Sequence, residues 1–161
     1  MPTFKVEGMD DFINLCIKTD RTLTSVIGKS IYPAGKHMGN AIKKSILDIE
    51  VDDSSHHTPH QIRRGPSSKQ YKGLIESFGI AKMHAGNNGY NVKCGFDGYN
   101  EIKTKKYPKG QPNAMIARSV NKGTSFMVAQ PFMDNTVSRE EMKTIEIIRE
   151  NFEKQMERIW K

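Results

Sequence analysis

His56, His57 and His60 stand beside Asp52 and Asp53, a group of imidazoles and carboxylates able in principle to hold a metal ion. A working site needs ligands oriented by a second layer of hydrogen bonds, and the stretch shows neither HExxH spacing nor a regular helical repeat. The histidines are therefore expected on a solvated loop, with no metal and no other cofactor. Gly28-Lys29-Ser30 matches the end of a phosphate-binding loop, but Leu23 occupies the position of its first glycine and the preceding residues have a helical pattern. Ser125 in Gly123-Thr124-Ser125 is not a GxSxG elbow. Cys16 and Cys94 lie far apart without CxxC spacing and are expected as reduced core residues. The pairs Asp10-Asp11 and Glu140-Glu141 fall at expected helix starts, where a carboxylate meets the positive end of the dipole. Catalysis is not expected, and a small metal-dependent enzyme built on the histidine loop is the weakest alternative.

The charge is more informative. A net charge of +7 permits contact with DNA or an acidic protein surface. It clusters in two places: Arg63-Arg64 before Gly65-Pro66, and Lys103, Lys105, Lys106 and Lys109 interleaved with Tyr99 and Tyr107. These six cations are the candidate docking or DNA-contact residues. A solvated face, electrostatic docking on an acidic neighbour and phosphate contact with tyrosine stacking all fit such a pattern. A basic nucleic-acid-binding module is thus an alternative reading.

The elements that must carry these groups follow from periodicity. The chain has 161 residues, 36% of them hydrophobic, and no long linker, which fits one domain over 1–161. Asp10 or Asp11 can cap a helix bearing Phe12, Leu15, Cys16, Leu23, Val26 and Ile27. Pro33 is expected to bend or restart it, and a second run over 34–47 sets Met38, Ala41, Ile42 and Ile46 opposite Lys36, Lys43 and Lys44. Residues 49–72 lose periodicity and read as a long loop. Tyr90, Val92, Cys94 and Phe96 alternate as a strand, with 74–83 as its partner and Gly86-Asn87-Asn88-Gly89 as the turn. A second long loop covers 97–113. Asn113 can cap a short helix that Gly123 ends, and 126–129 reads as a short strand. Ser138 with Glu141 forms a capping-box pattern for the last helix. Its stripe through Met142, Ile145, Ile148, Phe152, Met156 and Ile159 is expected to cover the strand face. The fold class is α+β: a small, mainly antiparallel sheet flanked by N-terminal helices and a C-terminal helix. No run of apolar residues is long enough to span a membrane.

Two segments carry a family likeness. Ile116 to Val137 (IARSVNKGTSFMVAQPFMDNTV) joins a helix, a Gly-Thr-Ser stop and a Gln-Pro-Phe turn to the last helix, and Gly79 to Asn100 (GIAKMHAGNNGYNVKCGFDGYN) precedes it. Together with Val6 to Phe12, they resemble the tail-completion, or neck, proteins of long-tailed bacteriophages. Met133-Asp134-Asn135-Thr136 stands where many of those proteins have a Pro-Ala pair. The resemblance implies a structural virion protein, assembled in the host cytoplasm, whose copies form a hexameric ring at the head-proximal end of the tail. Such a ring completes the tail and joins it to the head connector, contacting tail-tube or tail-terminator proteins and passing DNA without sequence specificity. Independently of the resemblance, Phe132, Met142, Ile145, Phe152 and Ile159 are expected in packing roles.

Overall fold

A computed structural model describes residues 21–54, 62–86 and 89–160. Four helices and four short strands make an α+β fold among these residues: α1 (Arg21–Ile46), α2 (Ser68–Ser77), β1 (Phe78–Ile80), β2 (His84–Gly86), β3 (Gly89–Asn91), β4 (Cys94–Phe96), α3 (Asn113–Lys122) and α4 (Phe132–Trp160). The expected single sheet is instead two strand pairs, β1 with β4 and β2 with β3. In the second pair Gly86 faces Gly89 in antiparallel register, on either side of the expected turn. The anticipated Tyr90–Phe96 strand is interrupted between β3 and β4, so its alternation serves two different partners.

Four boundaries differ from the sequence reading. Pro33 does not restart the first helix; α1 runs through it. The loop expected over 49–72 ends early, because Ser67 and Gln70 form a capping box that starts α2 at Ser68 and replaces the anticipated strand over 74–77 with helix. The last helix begins at Phe132, not near Ser138. There Asn121 Oδ1 accepts the backbone N–H groups of Met133 (2.9 Å) and Asp134 (3.2 Å), satisfying first-turn donors from outside the helix. Asn113 also differs from expectation: Pro112 holds the N-cap position of α3, and Asn113 is its first residue. Gly123 ends α3 at φ +73°, as its position implied.

The chain divides into two compact units. Among the described residues the first comprises 21–39, 80–86, 89–94 and 140–160. Here Val92, Ile80 and Cys94 meet α1. A Cβ on Gly35 would lie 2.8 Å from Val92 Cγ1, and one on Gly39 2.7 Å from Ile80 Cδ1. The two glycines, four residues apart, leave room on one helix face for those side chains. Cys94 Sγ donates to Gly35 O (3.5 Å), and Thr24 and Tyr90 join hydroxyls at 2.9 Å. The same unit contains an ion-pair geometry between His37 Nε2 and Glu140 Oε2 at 3.0 Å.

Among the described residues the second unit comprises 40–54, 62–79 and 95–139. Its core is Ile42, Ile46, Ile49, Leu74, Phe96, Ile116, Val120, Met127 and Phe132, with α2 packed on α3. Phe78, Phe96 and Phe132 stack edge to face, with ring centres 5.2 and 6.2 Å apart. Residues 126–129 form no strand; Met127 makes isolated bridges to Arg63 and Thr124.

The expected stripe on α4 is overturned in part. Met142 is 76% exposed, Ile145 and Phe152 are half-buried, and the Ile159 side chain lies outside the described residues. The buried positions are Phe132, Thr136, Thr144 and Ile148, spaced in multiples of four. Two are threonines, which a search for apolar residues passes over. The Thr144 hydroxyl is satisfied by donating to Glu140 O, so its burial leaves no donor unpaired.

Candidate functional site

The cationic candidates sit on two segments of the second unit, each fixed by hydrogen bonds. Arg63 lies beside the 126–128 segment: its N–H donates to Phe126 O (3.0 Å) and its carbonyl accepts from Val128 N (2.8 Å). Arg64 N donates to Asp52 Oδ2 (2.9 Å), and its exposed guanidinium stands 3.6 Å from Glu50 Oε1. Gln130 ties the three strands of chain together. Its Nε2 donates to the carbonyls of Glu50 and Arg64, both at 2.9 Å, while its Oε1 accepts from Glu50 N at 2.7 Å.

Asp52 and Asp53, the carboxylates of the conjectured metal set, are engaged elsewhere. Asp53 accepts from Ser68 N (2.7 Å) and from the Ser68 hydroxyl, which holds its carboxyl below the ordinary carboxylate value. It thereby sits at the N-terminus of α2, where a negative charge is favoured. His56, His57, His60 and Cys16 lie outside the described residues. Among the described residues no three His, Cys, Asp or Glu side chains gather as a metal group. Ser30, the last residue of the phosphate-loop look-alike, is buried within α1 and donates to Val26 O. Burial pushes the Cys94 thiol above its ordinary pKa, the reverse of what activates a nucleophile.

Lys103, Lys105, Lys106 and Lys109 all project from the surface of the 97–113 loop. That loop is folded back on itself. Thr104 and Tyr107 exchange backbone bonds at 3.1 and 3.0 Å, Asn100 N donates to Gln111 O (2.9 Å), and Asn100 Oδ1 accepts from Ile102 and Gln111. The Tyr107 hydroxyl points to Met115 Sδ at 3.2 Å, and Lys106 Nζ lies 5.6 Å from the Tyr107 ring centre. Tyr99, 58% exposed, is the aromatic ring left facing solvent in this loop. The four lysines and Tyr99 are thus exposed, while Tyr107 is half-buried.

Ile62, Phe126 and Val128 were not among the expected site residues. They are 54, 61 and 49% exposed, and they flank Arg63 and Met127 across the bridged segments. Alternation could have indicated them: buried Met127 between Phe126 and Val128 turns both neighbours outward. No helix among the described residues is long and apolar enough to cross a membrane. No protein-family model, no curated protein and no solved structure matches this chain.

Proposed function

We propose that the chain is a structural subunit of a phage or phage-like tail, one of several copies in a ring that completes the tail and joins it to the head connector. The observation that carries this reading is that Phe126 and Val128, inside the segment that resembles neck proteins, are exposed apolar residues, with exposed Ile62 and two arginines beside them on the bridged segment. Solvent-facing apolar groups at adjacent positions favour burial against another protein surface, and the flanking charge gives such a contact its register. The role is geometric and adhesive: apolar faces close the ring, and basic loops reach toward neighbouring rings and the DNA that passes. Particles assembled without the chain should gain joined heads and tails when the purified chain is added. The variant Phe126→Asp with Val128→Asp should remain folded and fail to join them. Joining at full yield without the chain, or with the double variant, would reject the reading.

A nucleic-acid-binding module is the second reading, favoured by four exposed lysines around exposed Tyr99. It requires binding to single-stranded DNA that weakens steeply with salt and is lost on changing Lys105 and Lys106 to Glu. Those substitutions should leave stability nearly unchanged, because exposed charges contribute little to folding.

A further inference from the structure

Asp97-Gly98 is the one Asp-Gly pair in the chain. An aspartyl carboxyl is open to attack by the backbone nitrogen of the next residue, and a side chain on that residue hinders the approach; glycine leaves it clear. The pair opens the 97–113 loop directly after β4, and both residues are exposed. A Cβ built on Gly98 would meet nothing within 4 Å, so water has free access to the peptide between them.

The reacting groups already stand together. Gly98 N donates to Asp97 Oδ1 at 2.7 Å, which puts the carboxyl carbon one bond beyond an atom in contact with the nitrogen. The backbone around them is held: Asp97 N donates to Ser77 O (3.1 Å), Asp97 O accepts from Asn113 Nδ2 (2.9 Å) and Gly98 O accepts from Asn113 N (3.1 Å). The fold has thereby met part of the orientational cost of closing a five-membered ring, a cost that an unfolded chain meets afresh at each encounter. Asp53 supplies the contrast. It is exposed too, but its carboxylate is committed to the N–H and hydroxyl of Ser68, and the residue after it carries a side chain.

We propose that Asp97-Gly98 is a site of spontaneous isomerisation, with water as the sole co-reactant, and that the native fold promotes it. Gly98 N bonds to Asp97 Cγ, one Cγ–O bond breaks, and the carboxyl OH leaves as water with the proton from the nitrogen. One water then opens the cyclic imide. Addition at Cγ restores aspartate; addition at the former peptide carbon breaks its bond to nitrogen, and the chain now runs through the side chain as isoaspartate. Nothing is oxidised or reduced, and the water released equals the water consumed. The product has one more methylene in its backbone between the positions that Ser77 and Asn113 hold, so those bonds cannot all be kept. The assignment uses only the 97–98 peptide and its neighbours, and it does not depend on the tail reading.

The test is to age the purified full chain at mildly acidic pH, once in native buffer and once unfolded in guanidinium chloride. Digestion and electron-transfer fragmentation then separate isoaspartate from aspartate at position 97. The native sample should form isoaspartate there at least about threefold faster than the unfolded one, because the carboxyl and the nitrogen are held in contact. The rate should fall at mildly alkaline pH, since the carboxyl needs its proton to leave as water. Asp97→Glu, a change at an exposed position, would have to close a six-membered ring and should abolish the product with the fold intact. In the isomerised fraction the Asp97 and Asn113 amides should exchange faster with solvent, as the displaced bonds require. A native rate equal to or below the unfolded rate would overturn the proposal. An isoaspartyl signal that persists in the Asp97→Glu variant, or protection at Asp97 and Asn113 that isomerisation leaves unchanged, would overturn it as well.

Discussion

Replacing Asn121 by Ala should destabilise the protein although position 121 lies within a helix where alanine is the better helix former. Asn121 is 3% exposed, and its Oδ1 holds two first-turn N–H groups of α4 at 2.9 and 3.2 Å. Loss of a capping side chain costs about 0.5–2 kcal/mol, and a buried donor left without a partner costs about 1–3 kcal/mol. The gain in helix propensity at the end of α3 offsets roughly 0.5 kcal/mol. A net loss of about 2 kcal/mol follows, equal to a fall in Tm of roughly 4–8 °C for a chain of this size. Ser138→Ala is the paired control. Ser138 is an exposed residue inside α4, so its replacement should be neutral or stabilising by up to about 0.5 kcal/mol. If α4 began at Ser138, the same change would remove a cap and cost about 1 kcal/mol. Thermal unfolding followed by circular dichroism, with amide exchange over 132–138, separates the two. A destabilised Ser138→Ala beside an unaffected Asn121→Ala would refute the start assigned to α4.

Three further outcomes follow from the geometry. A Cβ on Gly65 would stand 1.7 Å from Glu50 O, a backbone atom without freedom to swing aside, so Gly65→Ala should cost about 3 kcal/mol in denaturant unfolding by forcing the 50–53 and 64–66 segments apart. Leu74 is fully buried on α2, and Leu74→Ala should lower the unfolding free energy by about 2–5 kcal/mol. Asp53 has its pKa lowered by the Ser68 bonds, so its contribution is complete above the ordinary value of 3.8 and is lost as pH falls through the lower folded value; Asp53→Asn should flatten the acid limb of the stability profile in that window.

The elements with strong periodicity were legible. Met38, Ile42 and Ile46 are buried on α1 while Lys36, Lys43 and Lys44 face solvent, as the spacing required. Gly123 ended its helix, and the Gly86–Gly89 turn was correctly bracketed. The failures share one cause, that polar side chains do structural work which hydrophobic patterning does not see. Ser67 and Gln70 start a helix inside an apparent loop, Asn121 starts one from another element, and Thr136 and Thr144 are core residues of α4. The Ser138–Glu141 pair had the right residue types for a capping box, yet the donors it would satisfy are already bonded within a helix begun six residues earlier. The packing of Val92 and Cys94 on α1 was missed for a related reason: its signal is Gly35 and Gly39, residues defined by the side chain they lack.

The candidate surface shows the same logic at the level of function. Gly123-Thr124-Ser125 ends α3, and Gln130 then donates into Glu50 and Arg64, so the segment between them is pinned at both ends. Met127 is buried at its centre, which leaves Phe126 and Val128 facing out. The segment is therefore short, rigid and apolar on its outer side, a combination that costs little entropy when it is covered. The lysine loop is likewise held by its own backbone bonds and by Asn100, so its four cations are presented from a fixed frame. On the proposed tail reading, a surface prearranged in this way would give up less ordering entropy on contact than a mobile arm would. If the proposed joining role holds, the effect of Phe126→Asp with Val128→Asp should appear mainly as faster dissociation, and the effect of Lys105→Glu with Lys106→Glu as slower association with an altered salt dependence. If the lysine changes instead accelerate dissociation while leaving the salt dependence of association untouched, the cations lie within a buried contact and the division between apolar anchor and charged guide is wrong.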